Sequence, residues 1–138
     1  MRILCLDYGT KRIGVAVSDP LGLTAQGVQV VNKGASFIED IKELEKIIGR
    51  YEEVEEIVVG LPKTMSGEIG IAAEKVLEFV GFLKDHFKGK KITTWDERLT
   101  TKIASRMFRD AGISTKKSRG IIDKSAAVFI LQNYLDSM

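Results

Sequence analysis

The sequence predicts an α/β protein: one five-stranded mixed sheet, an antiparallel meander of strands one to three plus parallel strands four and five, flanked by helices. Three observations lead there. The first thirty or so residues hold three short apolar or alternating runs separated by turn signals, with too little chain between them for crossover helices. From Ser36 onward the apolar spacing lengthens to a helical period and then alternates between helix and strand. All of it fits one domain, residues 1–138, a length able to bury roughly two-thirds of its unfolded surface.

Arg2 to Tyr8 reads as a buried strand, because Ile3-Leu4-Cys5-Leu6 is short and continuously apolar. Gly9-Thr10-Lys11-Arg12 turns the chain into a valine-rich strand from Ile13 to Ser18. Asp19-Pro20-Leu21-Gly22 has proline early and glycine late, as a turn requires. A third strand follows from Gln26 to Val31. Ser36 and Glu39 are spaced as a capping box, and Phe37, Ile38, Ile41, Leu44, Ile47 and Ile48 form a helical stripe that stops near Gly49. Glu56 to Val59 is a fourth strand, closed by Gly60-Leu61-Pro62. The next helix, Ile69 to Phe87, places Ala72, Ala73, Val76, Val80, Leu83 and Phe87 at helical spacing. Lys91 to Trp95 is the fifth strand. A helix is expected from about Thr101 to Ala111, with Gly112 as its stop. After a basic loop comes a last helix from near Ile122 to Leu135. The order β-β-β-α-β-α-β-α-α is that of the ribonuclease-H-like fold.

Composition narrows the function classes. No apolar run approaches the ~20 residues of a membrane span. Asp7 interrupts the N-terminal apolar run too early for a signal-peptide core, and the lone Cys5 reads as a reduced core residue. Both lead us to expect a cytoplasmic protein. The net charge of +2 is unevenly distributed. Glu39 to Glu56 carries eight acids against three bases, whereas Lys84 to Lys124 carries twelve bases against five acids. Such asymmetry gives one face that repels polyanions and one that attracts them.

The chemistry is expected of three acids. Asp7 ends an apolar strand, where a carboxylate is costly unless it meets water, a partner or a cation. Asp96 and Glu97 follow Trp95; side chains alternate along a strand, so the two cannot point the same way. We assign Glu97 to the site and Asp96 to the cap of the following helix. Asp123 lies in the first turn of the last helix and shares a face with Ala126, Ala127 and Ile130. Asp7, Glu97 and Asp123 together suit hard divalent cations, Mg²⁺ or Mn²⁺. In two-metal phosphodiester cleavage such ions lie ~3.5–4 Å apart. His86 is the sole histidine, so neither a histidine-rich zinc site nor a thiol protease is supported. Near the acids in sequence stand Lys11, Arg12, Arg98, Lys116, Lys117, Arg119 and Lys124, suited to tracking phosphates. No aromatic residue interleaves with them, which favours structured nucleic acid over stacked single strands.

The segment Leu6-Asp7-Tyr8-Gly9-Thr10-Lys11-Arg12-Ile13-Gly14-Val15-Ala16-Val17-Ser18-Asp19 closely resembles the opening motif of the YqgF family, the Holliday-junction-resolvase-like proteins. Val58-Val59-Gly60-Leu61-Pro62 with Met65-Ser66-Gly67, then Asp96-Glu97-Arg98-Leu99-Thr100-Thr101, and finally Lys116 through Asp123 to Ala127 are similar to its later motifs. The resemblance implies a ribonuclease-H-like, bacterial, cytoplasmic nuclease that matures the 5′ end of precursor 16S rRNA, with ribosomal particles as partners. It carries the catalytic and metal-binding roles over to Asp7, Glu97 and Asp123. Four-way DNA junctions are the alternative substrate. A non-catalytic RNA-binding assembly factor, or an actin-like ATP-binding protein built on Asp7-Tyr8-Gly9-Thr10, are the alternatives of another class. In one respect the chain departs from the better-known resolvases of this fold, whose second acid follows the fourth strand. Here that place is Gly60-Leu61-Pro62. If the sheet order is 3-2-1-4-5, the fifth strand lies two spacings from the first, ~10 Å away, a gap that a glutamate bridges more readily than an aspartate.

Overall fold

The computed structural model describes residues 1–63, 66–97, 112 and 115–138, with backbone alone for 115–125. Five strands, β1 (Arg2–Tyr8), β2 (Arg12–Ser18), β3 (Ala25–Asn32), β4 (Val54–Leu61) and β5 (Lys91–Asp96), form one sheet in the order β3-β2-β1-β4-β5. β1 pairs antiparallel with β2 and β2 with β3, while β4 is parallel to both β1 and β5. The mixed sheet, with its antiparallel meander and parallel fourth and fifth strands, is the one the sequence predicts, and its order is the 3-2-1-4-5 supposed above.

Helices α1 (Phe37–Ile48) and α2 (Ile71–His86) cover one face of the sheet, and α3 (Thr115–Asp136) covers the other. This explains why β1 is apolar without a break: Leu4, Leu6 and Tyr8 belong to the α1–α2 core, and Ile3 and Cys5 to the α3 core. Fully burying one such side chain stabilises the fold by about 1.5–3 kcal/mol. Asp7 alternates onto the α3 side with Ile3 and Cys5.

Local chemistry sets the element ends. Asp19 Oδ1 accepts hydrogen bonds from the Leu23 and Thr24 amides at 2.7 and 2.8 Å, and Gly22 takes φ 72°, closing the β2–β3 turn. Ser36 caps α1 by accepting from the Glu39 amide, while the Glu39 carboxylate reaches back to Ala35 N. The capping box therefore engages the amide of the residue before the cap.

Several expectations need correction. α3 starts at Thr115, so Lys116, Lys117 and Arg119 lie on its first turns and not in a loop. Lysine and arginine are good helix formers, and apolar periodicity gives no signal where a helix runs past the core it packs on. Ile38 and Ala72 are exposed, and Phe79 and Asp40 are the buried residues the stripes missed. The expected helix from 101 to 111 lies outside the described residues; Gly112, its expected stop, has φ 77°.

Candidate active site

Asp7 is the penultimate residue of β1 and is half-buried. Its partner in the β1–β2 register is Gly14. A Cβ at Gly14 would lie 3.6 Å from Asp7 Cβ and 3.5 Å from Ala127 Cβ, which places Ala127 of α3 over the strand end beside Asp7. Next to Asp7 a cavity of about 420 Å³ is lined by Gly9, Thr10, Lys11, Arg12, Gly14 and Val30. The turn beneath it is tight: Gly9 N donates to Arg12 O at 2.9 Å.

Glu97 follows β5 directly. Its amide donates to Leu61 O at 3.2 Å, which extends the β4–β5 pairing past the Leu61–Asp96 step. From there its carboxyl reaches across β4, over Gly60, into hydrogen-bonding reach of Asp7. Burial pushes the Glu97 carboxyl up to about 8, aided by the negative charge and hydrogen bond of Asp7 and by the charge of Asp96. Glu97 Oε2 is buried with no hydrogen-bond partner among the described residues. Cys5 lies under the pair; its thiol pKa is raised by burial first and then by the charges of Asp7 and Glu97.

Two carboxyls within hydrogen-bonding reach, one with a buried oxygen that has no partner among the described residues, form a compact oxygen-donor set. That chemistry fits a hard divalent cation. Among the described residues the converging pair is Asp7 and Glu97, with Asp96 at the end of β5 contributing charge beside them.

Asp123 lies within α3. Ile130, Leu131, Tyr134 and Leu135 pack with Ile3, Cys5 and Val58, and Ala127 meets Gly14 near the end of β1. The helix thus runs back along β1, and Asp123 precedes Ala127 by one turn, about 6 Å along the axis. Its backbone therefore lies one helical turn beyond the level of Ala127 and Gly14, toward the C-terminal end of β1. Lys116, Lys117, Arg119 and Lys124 belong to the same N-terminal half of α3. Lys11 and Arg12 are exposed on the cavity wall. Arg98 lies outside the described residues.

Sequence reasoning missed Gly60. In the sequence Gly60-Leu61-Pro62 marks the end of β4, whereas Gly60 pairs in register with Trp95 inside the strand and underlies the Glu97 carboxyl. An isolated glycine beside Val58 and Val59 was the available signal.

A family model described as "RuvX: Holliday junction resolvase" matches residues 1–137. A protein of Clostridium novyi (strain NT) named "Putative pre-16S rRNA nuclease" is 53% identical over 138 residues, covering 100% of each chain. One of Clostridium botulinum (strain Hall) with the same name is 50% identical, covering 100% of this chain and 98% of the relative. Among solved structures, the fowlpox virus Holliday junction resolvase superposes with TM-score 0.56 at 15% identity, covering 100% of each chain. Thermus thermophilus RuvC in complex with a Holliday junction substrate gives 0.54 at 16%, covering 99% of this chain and 94% of that one. These two likenesses extend to the fold.

Proposed function

This chain belongs to the RuvX family of Holliday junction resolvases, and we propose that it is a Mg²⁺- or Mn²⁺-dependent endonuclease that processes the 5′ end of precursor 16S rRNA. The observation that carries this reading is the meeting of Asp7 and Glu97, with a buried carboxylate oxygen lacking a partner among the described residues. The whole chain, residues 1–138, acts as one catalytic domain.

Asp7 and Glu97 hold the cation, and Asp123 completes the set from α3. When bound, the cation supplies Lewis-acid stabilisation of the phosphate and a water of lowered pKa. Asp7 is fixed by its place in β1, so its carboxylate reorganises little. Glu97 releases its proton on binding, because a coordinating carboxylate must be charged. Lys11 and Arg12 place the phosphate backbone beside Asp7, and Arg98, Lys116, Lys117, Arg119 and Lys124 extend that track. The site works in the cytoplasm on structured RNA in or near ribosomal particles. No helix of the described residues is long and apolar enough to cross a membrane.

The test is parallel cleavage of a 5′-extended 16S precursor and a four-way DNA junction, with Mg²⁺ or Mn²⁺ and with Asp7→Asn as control. We expect precursor cleavage by the unmutated chain alone, with RNA binding retained in the variant. Preferential cutting of the junction would transfer the reading to DNA, and equal cutting by Asp7→Asn would overturn it.

A further inference from the structure

Gly60 lies on β4, between the strand that carries Asp7 and the strand that delivers Glu97. Its φ is not positive, so the backbone conformation there does not itself require glycine. The surrounding space does not. A Cβ on Gly60 would collide with Glu97 Oε2, and would lie 3.3 Å from Glu97 Cδ and 2.8 Å from Ile130 Cδ1. The Glu97 carboxyl thus occupies the volume that a side chain at position 60 would fill. The strand on either side is built for bulk, since Val58, Val59 and Leu61 are all buried. A glycine inside such a strand gives up side-chain packing, and here it leaves a gap of carboxylate size.

We propose that Gly60 is a positioning residue of this site: its missing side chain is the passage across β4 through which Glu97 reaches Asp7. The proposal rests on the reading of Asp7 and Glu97 as cation ligands. It accounts for the acid that follows the fifth strand instead of the fourth. A glutamate arriving from β5 needs clearance over β4, and a bare backbone at position 60 supplies it. The same gap admits Ile130 Cδ1 from α3, so a substitution at 60 disturbs two neighbours, which the experiment must separate.

Ile130→Val removes the close atom on the α3 side and leaves the Glu97 carboxyl as the tightest contact of a new methyl. The comparison is therefore Gly60→Ala/Ile130→Val against Ile130→Val. It uses metal-free crystal structures, Mn²⁺ affinity by calorimetry, and RNA binding. We expect the Glu97 carboxyl to leave Asp7 in the double variant. Mn²⁺ affinity should fall about 10–100-fold, the usual effect of losing a ligand's support, with RNA binding unchanged. Glu97 still against Asp7, or equal Mn²⁺ affinity in the two variants, overturns the proposal. If Ile130→Val and the unmutated chain both fail to bind Mn²⁺, the cation reading fails, and the crystal structures alone decide whether Gly60 sets the position of Glu97. Should the double variant fold poorly, the thermal midpoint decides. Gly60→Ala should lower it in the Ile130→Val chain and leave it unchanged in the Ile130→Val/Glu97→Ala chain; equal drops overturn the proposal.

Discussion

The carboxyl of Glu97, delivered from the end of β5, meets that of Asp7 near the end of β1, with all of β4 between their strands. Strand spacing alone separates β1 from β5 by about 10 Å. The length of the glutamate and the bare backbone at Gly60 close that distance.

The pair makes stability depend on pH. In the metal-free folded chain Glu97 keeps its proton to about pH 8, whereas an ordinary glutamate releases it near 4.5. Between those values the folded state binds more protons than the unfolded one, so stability is greatest below the window and declines as pH rises through it. In EDTA, urea unfolding should show this decline from pH 5 to 8. Glu97→Gln should flatten it and stabilise the chain at pH 8.5 by about 1–3 kcal/mol, by removing a poorly compensated buried charge. An identical slope in the variant would count against the pairing.

Reach should matter as well as charge. Glu97→Asp keeps the carboxylate but shortens it by one methylene. We expect Mn²⁺ affinity and cleavage rate to fall by about 10–100-fold, comparable to the loss of a ligand's supporting contact. Calorimetry and single-turnover cleavage measure this, and full activity in the aspartate variant would show that β5 lies close enough without the longer side chain.

Lys11 and Arg12 line the cavity next to Asp7 and are exposed. Removing either should weaken RNA binding and lower the salt dependence of log K by about one counterion each. Sequence preference should be unchanged, because phosphate contacts position the chain without reading bases. A salt slope unaffected in both variants would place the backbone track elsewhere.

The opposite end of β4 separates stability from catalysis. Buried Glu56 accepts hydrogen bonds from Thr93 Oγ1 at 2.7 Å and Tyr134 Oη at 2.6 Å, tying β4, β5 and α3 together. It lies four residues before Gly60, roughly 13 Å along the strand. Glu56→Ala should cost about 1.5–3 kcal/mol, the worth of a hydrogen bond to a charged group. Mn²⁺ affinity at low temperature should be unchanged. A stable variant with lost Mn²⁺ binding would contradict this division.

Much of this arrangement was legible in the chain. The strands were readable because β1 is buried on both faces and so is continuously apolar, and because Asp19 to Gly22 is turn chemistry. Asp7 stood out as a carboxylate ending such a strand. The length of Glu97 favours it over Asp96 for bridging from β5, and its carboxyl lies within hydrogen-bonding reach of Asp7. Other features were hidden for physical reasons. Asp40 stands in an acid-rich stretch with no sequence signal of burial, yet it is 2% exposed and accepts from Gly34 N at 2.7 Å. Periodicity cannot register a local contact of that kind. The start of α3 was hidden because its first turns carry charged residues, and the role of Gly60 because it exists only once β5 lies alongside β4.

The most direct test is anomalous diffraction from crystals grown with Mn²⁺. The account predicts a manganese peak between the carboxylates of Asp7 and Glu97, with Asp123 turned toward it, and no such peak in Asp7→Asn. Ordered manganese found only elsewhere on the chain, or the same peak persisting in Asp7→Asn, would contradict it.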